Sequence, residues 1–210
     1  EVLEKRLGMD RGSARLRAIE LIESVGIPDP ERQLGRFPMN LSGGMRQRIS
    51  IAIALAAEPK LLIADEPTTS LDVTIQVQIL ELLRRQQIER KMALILVTHD
   101  LGIVANYADD IVVMYAGQIV ENCATGTLIR QPRMPYTKAL MNSAPRLSDP
   151  PHTRLSAIPG MPPNSLTVLP GCRFNDRCPY VMDQCREKTP PLTFDFDPNH
   201  RFACWSPLQI

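Results

Sequence analysis

Two stretches within residues 41–72 carry side chains that can act on a phosphate. The first, Leu41-Ser42-Gly43-Gly44-Met45-Arg46-Gln47-Arg48, is a small-residue turn that opens into an apolar helix. Such a turn presents unpaired backbone N–H groups at a helix N-terminus, where they and roughly half a unit of positive macrodipole charge attract a phosphate. Gly43 and Gly44 let the backbone come close, and Ser42 adds a hydroxyl donor. The second, Leu61-Leu62-Ile63-Ala64-Asp65-Glu66-Pro67, reads as a buried strand whose end delivers two adjacent carboxylates. One carboxylate can hold Mg²⁺ through oxygen ligands, and the other can orient and deprotonate a water.

The elements that must position these groups follow from periodicity. Residues 13–25 carry apolar side chains at 16, 19, 22 and 25, with Ala18 and Leu21 widening the stripe. That pattern predicts an amphipathic helix stopped by Gly26, with Pro28 beyond it in a loop. Residues 46–57 are too continuously apolar for a surface helix and are expected to be mostly buried, ending at Glu58-Pro59. A strand is expected over 60–64, a helix over 73–90 with apolar positions 75, 79, 82 and 83, and a buried parallel strand over 92–97. After a short helix near 101–106, residues 111–115 and 118–120 flank Ala116-Gly117, the pattern of a tight hairpin. Alternating strands and helices predict an α/β core.

Composition excludes several classes. The chain has 24 basic and 23 acidic residues, a net charge of +1, so nothing favours bulk nucleic-acid binding. No apolar run reaches the length of a membrane span and no secretory signal is visible, so a soluble chain that can dock on a membrane protein is expected. Fourteen of the 19 prolines follow residue 131, and four of the five cysteines follow residue 170, which places a compositional boundary near 131–150.

The LSGGMRQR and LLIADEP stretches are followed by Ser70-Leu71-Asp72 and then by Val97-Thr98-His99-Asp100. This series resembles, in order, the signature, Walker B, D-loop and switch-histidine motifs of ABC-type ATPases. The resemblance implies an α/β nucleotide-binding domain, with the end of a helical subdomain leading into a RecA-like parallel sheet. It implies ATP sandwiched between two subunits, with Ser42, Gly43 and Gly44 on the γ-phosphate of ATP held by the partner. Gln47 would orient the turn or reach the ribose side. Asp65 would hold Mg²⁺ through water, and Glu66 would be the base that polarises the attacking water. His99 would sense the γ-phosphate, and Asp72 would couple the two sites across the dimer. Arg46 and Arg48 are expected to be structural or interfacial. No G-x-x-x-x-G-K-[ST] phosphate loop occurs in the 210 residues, so the isolated chain is expected to be inactive.

The tail narrows the resemblance. Met134-Pro135-Tyr136-Thr137-Lys138-Ala139-Leu140, Ile158-Pro159-Gly160-Met161-Pro162-Pro163 and Cys172-Arg173-Phe174-Asn175-Asp176-Arg177-Cys178-Pro179 resemble the C-terminal extension of oligopeptide/dipeptide (and nickel) importer ATPases. Met134 stands where that family usually has His. Expected domains are therefore 1–130, an ABC ATPase portion, and 131–210, a proline-rich extension with a four-cysteine site. Cys172, Cys178, Cys185 and Cys204 are spaced C-x₅-C-x₆-C-x₁₈-C in a segment too poor in apolar residues to build its own core. A metal staple is the better reading than disulfides for a cytoplasmic chain, although the spacing lacks the paired C-x₂-C of common zinc sites. A [4Fe–4S] cluster is chemically allowed, and the resemblance implies one; zinc and free or partly oxidised thiols stay open. His200 is expected at the surface or as a substitute ligand, and Cys123 as an ordinary small side chain.

The function implied is ATP hydrolysis powering peptide uptake by an ABC importer at the cytoplasmic face of the cell membrane. Its partners would be a second ATPase subunit, identical or different, two transmembrane permease subunits and, indirectly, an extracytoplasmic binding protein. The alternatives are an importer subunit for nickel or another solute, a non-transport ABC ATPase of DNA repair or translation, and a truncated, non-hydrolysing metal-binding fragment.

Overall fold

Asp10, Ser42, Asp72 and Asp100 each open a helix by accepting hydrogen bonds from the first-turn amides. The computed structural model describes residues 1–144, 150, 157–164 and 170–209. It divides into two units, Glu1–His99 and Asp100–Ile210.

In the first unit, a π-helical turn (Val2–Arg6) precedes α1 (Arg11–Ser24), the short α2 (Pro30–Gln33), a 3₁₀ turn (Pro38–Asn40) and α3 (Gly43–Leu55). There follow β1 (Leu61–Asp65), α4 (Val73–Arg90) and β2 (Ala93–Val97). The strands pair in parallel, Leu61 opposite Ala93 through Asp65 opposite Val97. One core joins Leu21, Ile22 and Val25 of α1, Ile51, Ala52 and Leu55 of α3, Leu62 of β1, and Ile79, Leu82 and Leu83 of α4. The helix stripe predicted over 13–25 is displaced: Leu16 is 65% exposed, and Ala14 is buried in its place.

Two burial expectations are corrected. In α3 only the face bearing Ile51, Ala52 and Leu55 is covered, while Ile53 lies outside, because neighbours pack against one side of the 3.6-residue repeat. In the sheet, Leu62, Ala64 and Leu94 meet the core, whereas Leu61, Ile63, Ile95 and Val97 are exposed. The period-two alternation sends those four side chains to the face that no described helix covers.

In the second unit, α5 (Leu101–Tyr107) leads to β3 (Asp110–Tyr115) and β4 (Gln118–Ala124), then α6 (Thr125–Arg130) and α7 (Pro135–Ser143). The hairpin turn is Ala116-Gly117, both with positive φ (48° and 79°), the geometry of a type I′ turn. A 3₁₀ turn (Asn175–Arg177), α8 (Asp183–Glu187) and the two-residue β5 (Arg201–Phe202) follow, and β5 adds to β4 antiparallel. The tail does not stand without a core. Phe174, 1% exposed, packs on Ile111, Val113, Tyr115 and Val120 of the hairpin, and its ring lies 5.3 Å from those of Tyr115 and Tyr136.

His200 is also corrected from surface to interior: it is 6% exposed, and Nε2 lies 2.8 Å from Glu121 Oε1. Glu121, fully buried, further accepts from the amides of Arg133 (2.6 Å) and Met134 (3.1 Å). A buried carboxylate with three donors ties β4, the start of α7 and the tail into one network. Glu121→Leu should therefore lower the unfolding free energy by about 3–5 kcal/mol, read by urea denaturation, because His200 and two amides lose their acceptor.

Gly44 shows what brings α3 close to α4. A Cβ there would lie 2.8 Å from Ile75 Cγ2, a branched methyl that cannot swing away. Gly44→Ala should cost about 1–3 kcal/mol in thermal or urea unfolding, whereas Gly35→Ala, with nothing within 4 Å of its Cβ position, should leave the transition unchanged.

Candidate functional site

β1 ends at Asp65, and the amide of Glu66 donates to the carbonyl of Val97 at 2.9 Å, carrying the parallel ladder one residue further. The chain then turns sharply: Glu66 has φ 46° and Ser70 φ 64°, both in the left-handed region that non-glycine residues rarely adopt. Within this turn Thr69 N bonds Glu66 O at 3.2 Å and Leu71 N bonds Thr68 O at 3.2 Å. Asp65 and Glu66 thus stand at the C-terminal tip of the parallel pair, where α/β folds place ligands.

His99 comes two residues after Val97, and its Nδ1 is 2.8 Å from Glu66 Oε1. An ionised carboxylate can only accept, so Nδ1 carries the proton in this bond. Thr69 Oγ1 donates to the other oxygen, Oε2, at 2.9 Å. The His99 hydrogen bond first, then the Thr69 hydroxyl, hold the Glu66 carboxyl below the usual carboxylate range. Glu66 and His99, expected separately as base and γ-phosphate sensor, are therefore in direct contact. Thr69 was not singled out; its only sequence signal is a hydroxyl residue three positions after the glutamate, in a turn.

The signature residues lie at the start of α3. Ser42 is its N-cap, with Oγ accepting from Met45 N at 3.2 Å, so the hydroxyl already serves the helix. A Cβ on Gly43 would meet Leu71 Cδ2 at 3.3 Å, which sets the signature turn against the loop carrying Asp72. Asp72 caps α4 through Ile75 N at 2.9 Å. Gln47 is half-buried on α3. Arg46 holds Leu41 O and Arg48 holds Val25 O, each at 2.7 Å, the structural roles expected of them.

In the second unit the four tail cysteines are free thiols. Cys172 N bonds Cys185 O at 2.7 Å, and Gly171 (φ 76°) has no room for a Cβ, which would lie 2.3 Å from that same oxygen. Burial, then the nearby charges of Cys172, Cys178 and Cys185, pushes the Cys204 thiol up to about 11. Burial also raises the thiols of Cys172 and Cys178. Cys123, in the hairpin core, is pushed up to about 12 by burial and by Glu121, which keeps it an inert small side chain as expected. Among the described residues no group of three or more His, Cys, Asp or Glu side chains is arranged to hold a metal ion. Neither the [4Fe–4S] cluster nor the zinc expected on these four cysteines is therefore supported by their described arrangement. His200, whose Nε2 bonds Glu121, joins no such group either. Arg154, Leu155 and Ser156, which precede Ile158-Pro159-Gly160, lie outside the described residues. The Arg177 guanidinium grips the carbonyls of Pro159 (2.8 Å) and Ile158 (3.0 Å), linking two of the tail motifs.

A parallel pair with an acidic tip, a glycine-opened helix packed on the loop beyond it, and a histidine bonded to the second carboxylate together define an ABC-type nucleotide-binding domain. Residues 2–69 match the model of the ABC transporter family, and residues 120–185 that of the oligopeptide/dipeptide transporter C-terminal region. The chain is 47% identical over 209 residues to the dipeptide transport ATP-binding protein DppD of Escherichia coli, covering 100% of this chain and 63% of that protein. It is 49% identical over 204 residues to the oligopeptide transport ATP-binding protein OppD of Mycobacterium tuberculosis, covering 97% and 33% respectively. It thus spans between a third and two thirds of the length of these relatives. Among solved structures, CbiO1 of Clostridium perfringens, part of the ABC transporter complex CbiONQ, superposes with a TM-score of 0.50 at 32% identity, over 58% of this chain and 47% of that one. Along its length the chain is thus similar to oligopeptide/dipeptide transport ATP-binding proteins of ABC transporters.

Removing the His99 hydrogen bond removes the largest cause of the lowered Glu66 carboxyl. In His99→Ala, the Glu66 carboxyl titration followed by carbon NMR should move to higher pH. The sign for stability follows from linkage: a carboxyl lowered on folding stabilises above its unfolded midpoint, and this contribution is lost as pH falls through the folded one.

Proposed function

We propose that this chain is part of an ATP-hydrolysing subunit of an ABC importer for oligopeptides or dipeptides. The observation that carries the reading is Glu66 at the tip of β1, adjacent to Asp65 and bonded to His99 Nδ1 at 2.8 Å. Bound Mg-ATP supplies the electrophilic γ-phosphoryl group. Asp65 would hold the metal through water, Glu66 would orient and polarise the attacking water, and His99 keeps that carboxylate ionised and would sense the γ-phosphate. Ser42, Gly43, Gly44 and Gln47 would face nucleotide held by a second ATPase subunit, and Asp72, next to the signature turn, would couple the two sites. Residues 1–130 would form the ATPase portion and 131–210 the extension.

The partners under this reading are a second ATPase subunit and two permease subunits, placing the chain peripherally on the cytoplasmic face of the membrane, with an extracytoplasmic binding protein delivering substrate. Support comes from the names of the relatives and from the lack, among the described residues, of any helix long and apolar enough to cross a membrane.

The four tail thiols support a finer proposal. All four lie in the second unit and none is in a disulfide. A four-iron cluster takes its thiolates further apart than one tetrahedral ion does, and Cys172, Cys178, Cys185 and Cys204 would be its ligands. Iron and acid-labile sulfide in stoichiometric amount after anaerobic purification would bear this out; a folded, iron-free protein would refute it.

The hydrolytic reading is tested in the assembled transporter. Glu66→Gln should lower ATP turnover by about 10²–10⁴-fold while nucleotide binding persists; turnover at the wild-type rate would sink the reading.

A further inference from the structure

The residue that would activate water is also one of the most constrained in the first unit. Its backbone is left-handed at φ 46°, a conformation that costs about 1–3 kcal/mol and persists where surrounding contacts enforce it. Four hydrogen bonds do so. Glu66 N–H donates to Val97 O (2.9 Å), Glu66 O accepts from Thr69 N (3.2 Å), Oε1 accepts from His99 Nδ1 (2.8 Å), and Oε2 accepts from Thr69 Oγ1 (2.9 Å).

Two of the four come from Thr69, one to the main chain and one to the side chain of the same residue. The backbone bond closes the turn. The hydroxyl bond reaches the oxygen that His99 leaves available. A glutamate has three side-chain torsions, and a single hydrogen bond at one oxygen leaves its carboxylate plane free to swing about that contact. Bonds at both oxygens fix the plane, and with it the direction of the remaining lone pairs, which a water must meet.

We propose that Thr69 is a positioning residue for hydrolysis, its hydroxyl fixing the carboxylate plane of Glu66 from the oxygen that His99 does not hold. The inference rests on the reading of Glu66 as the water-activating base. Thr69 touches no reacting atom; it acts only through Glu66.

The test compares Thr69→Val, Thr69→Ser and Glu66→Gln in the assembled transporter. Thr69→Val keeps the shape and β-branching but not the donor. It should lower kcat for ATP about tenfold with KM unchanged. Thr69→Ser should restore kcat. Wild-type kcat in Thr69→Val, beside an inactive Glu66→Gln, overturns the inference alone, as does a raised KM with kcat unchanged or failure of Thr69→Ser to restore kcat. A fully active Glu66→Gln overturns the hydrolytic reading and the inference with it.

Discussion

The bond from the Glu66 amide to the Val97 carbonyl, 2.9 Å long, sets the geometry on which the candidate site depends. It extends the register in which Asp65 stands opposite Val97, so the chain leaving β1 and the chain leaving β2 separate at the same level. Glu66 is the first residue past one strand and His99 the second past the other, and the register together with the left-handed backbone at Glu66 brings them within 2.8 Å. A slip of one residue would reverse the facing of every side chain on the strand and take the carboxylate away from the imidazole. The left-handed turn from Glu66 to Ser70 then redirects the chain into α4, and Asp72 ends it by capping that helix.

Several motif residues carry a packing duty beside the proposed chemical one. Gly44 admits Ile75 and Gly43 admits Leu71, so the signature turn lies against the segment bearing Asp72 at van der Waals range. Ser42 and Asp72 spend a side-chain oxygen on helix amides. These bonds hold the starts of α3 and α4, and thereby the backbone N–H groups of the signature, in a defined direction. Local folding and the proposed phosphate contact call on the same residue types, because both need small side chains and oxygen acceptors at a helix start.

The second unit is organised by a different constraint. The hairpin of β3 and β4 supplies the apolar surface that the proline-rich tail lacks, and Phe174, lying between Cys172 and Cys178, is the anchor. Glu121 then joins strand, helix and tail through one buried carboxylate. Arg133 adds a second link: it pairs with Asp195 and lies 5.1 Å from the Phe202 ring centre. The tail needs no core of its own because it borrows the hairpin's.

Most helices and strands were legible in the sequence, since local periodicity and capping chemistry act over a few residues. The Ile79-Leu82-Leu83 stripe and the Ala116-Gly117 turn are such cases. Burial was less legible. Leu16, Ile53 and Ile63 are as apolar as their buried neighbours, and only the placement of other elements decides which face is covered. The sequence by itself determined the types and order of the chemical groups, Ser42-Gly43-Gly44, Asp65-Glu66 and His99, because those reside in side-chain identity. Tertiary structure alone decided that His99 grips one oxygen of Glu66 while Thr69 grips the other, and that His200 is buried against Glu121. The first of these contacts spans 33 residues and the last 79, whereas Thr69 is only three residues from Glu66. Strand register and a left-handed backbone turn set the first two, the hairpin and tail packing sets the third, and no pattern of neighbouring residues encodes the two long-range contacts.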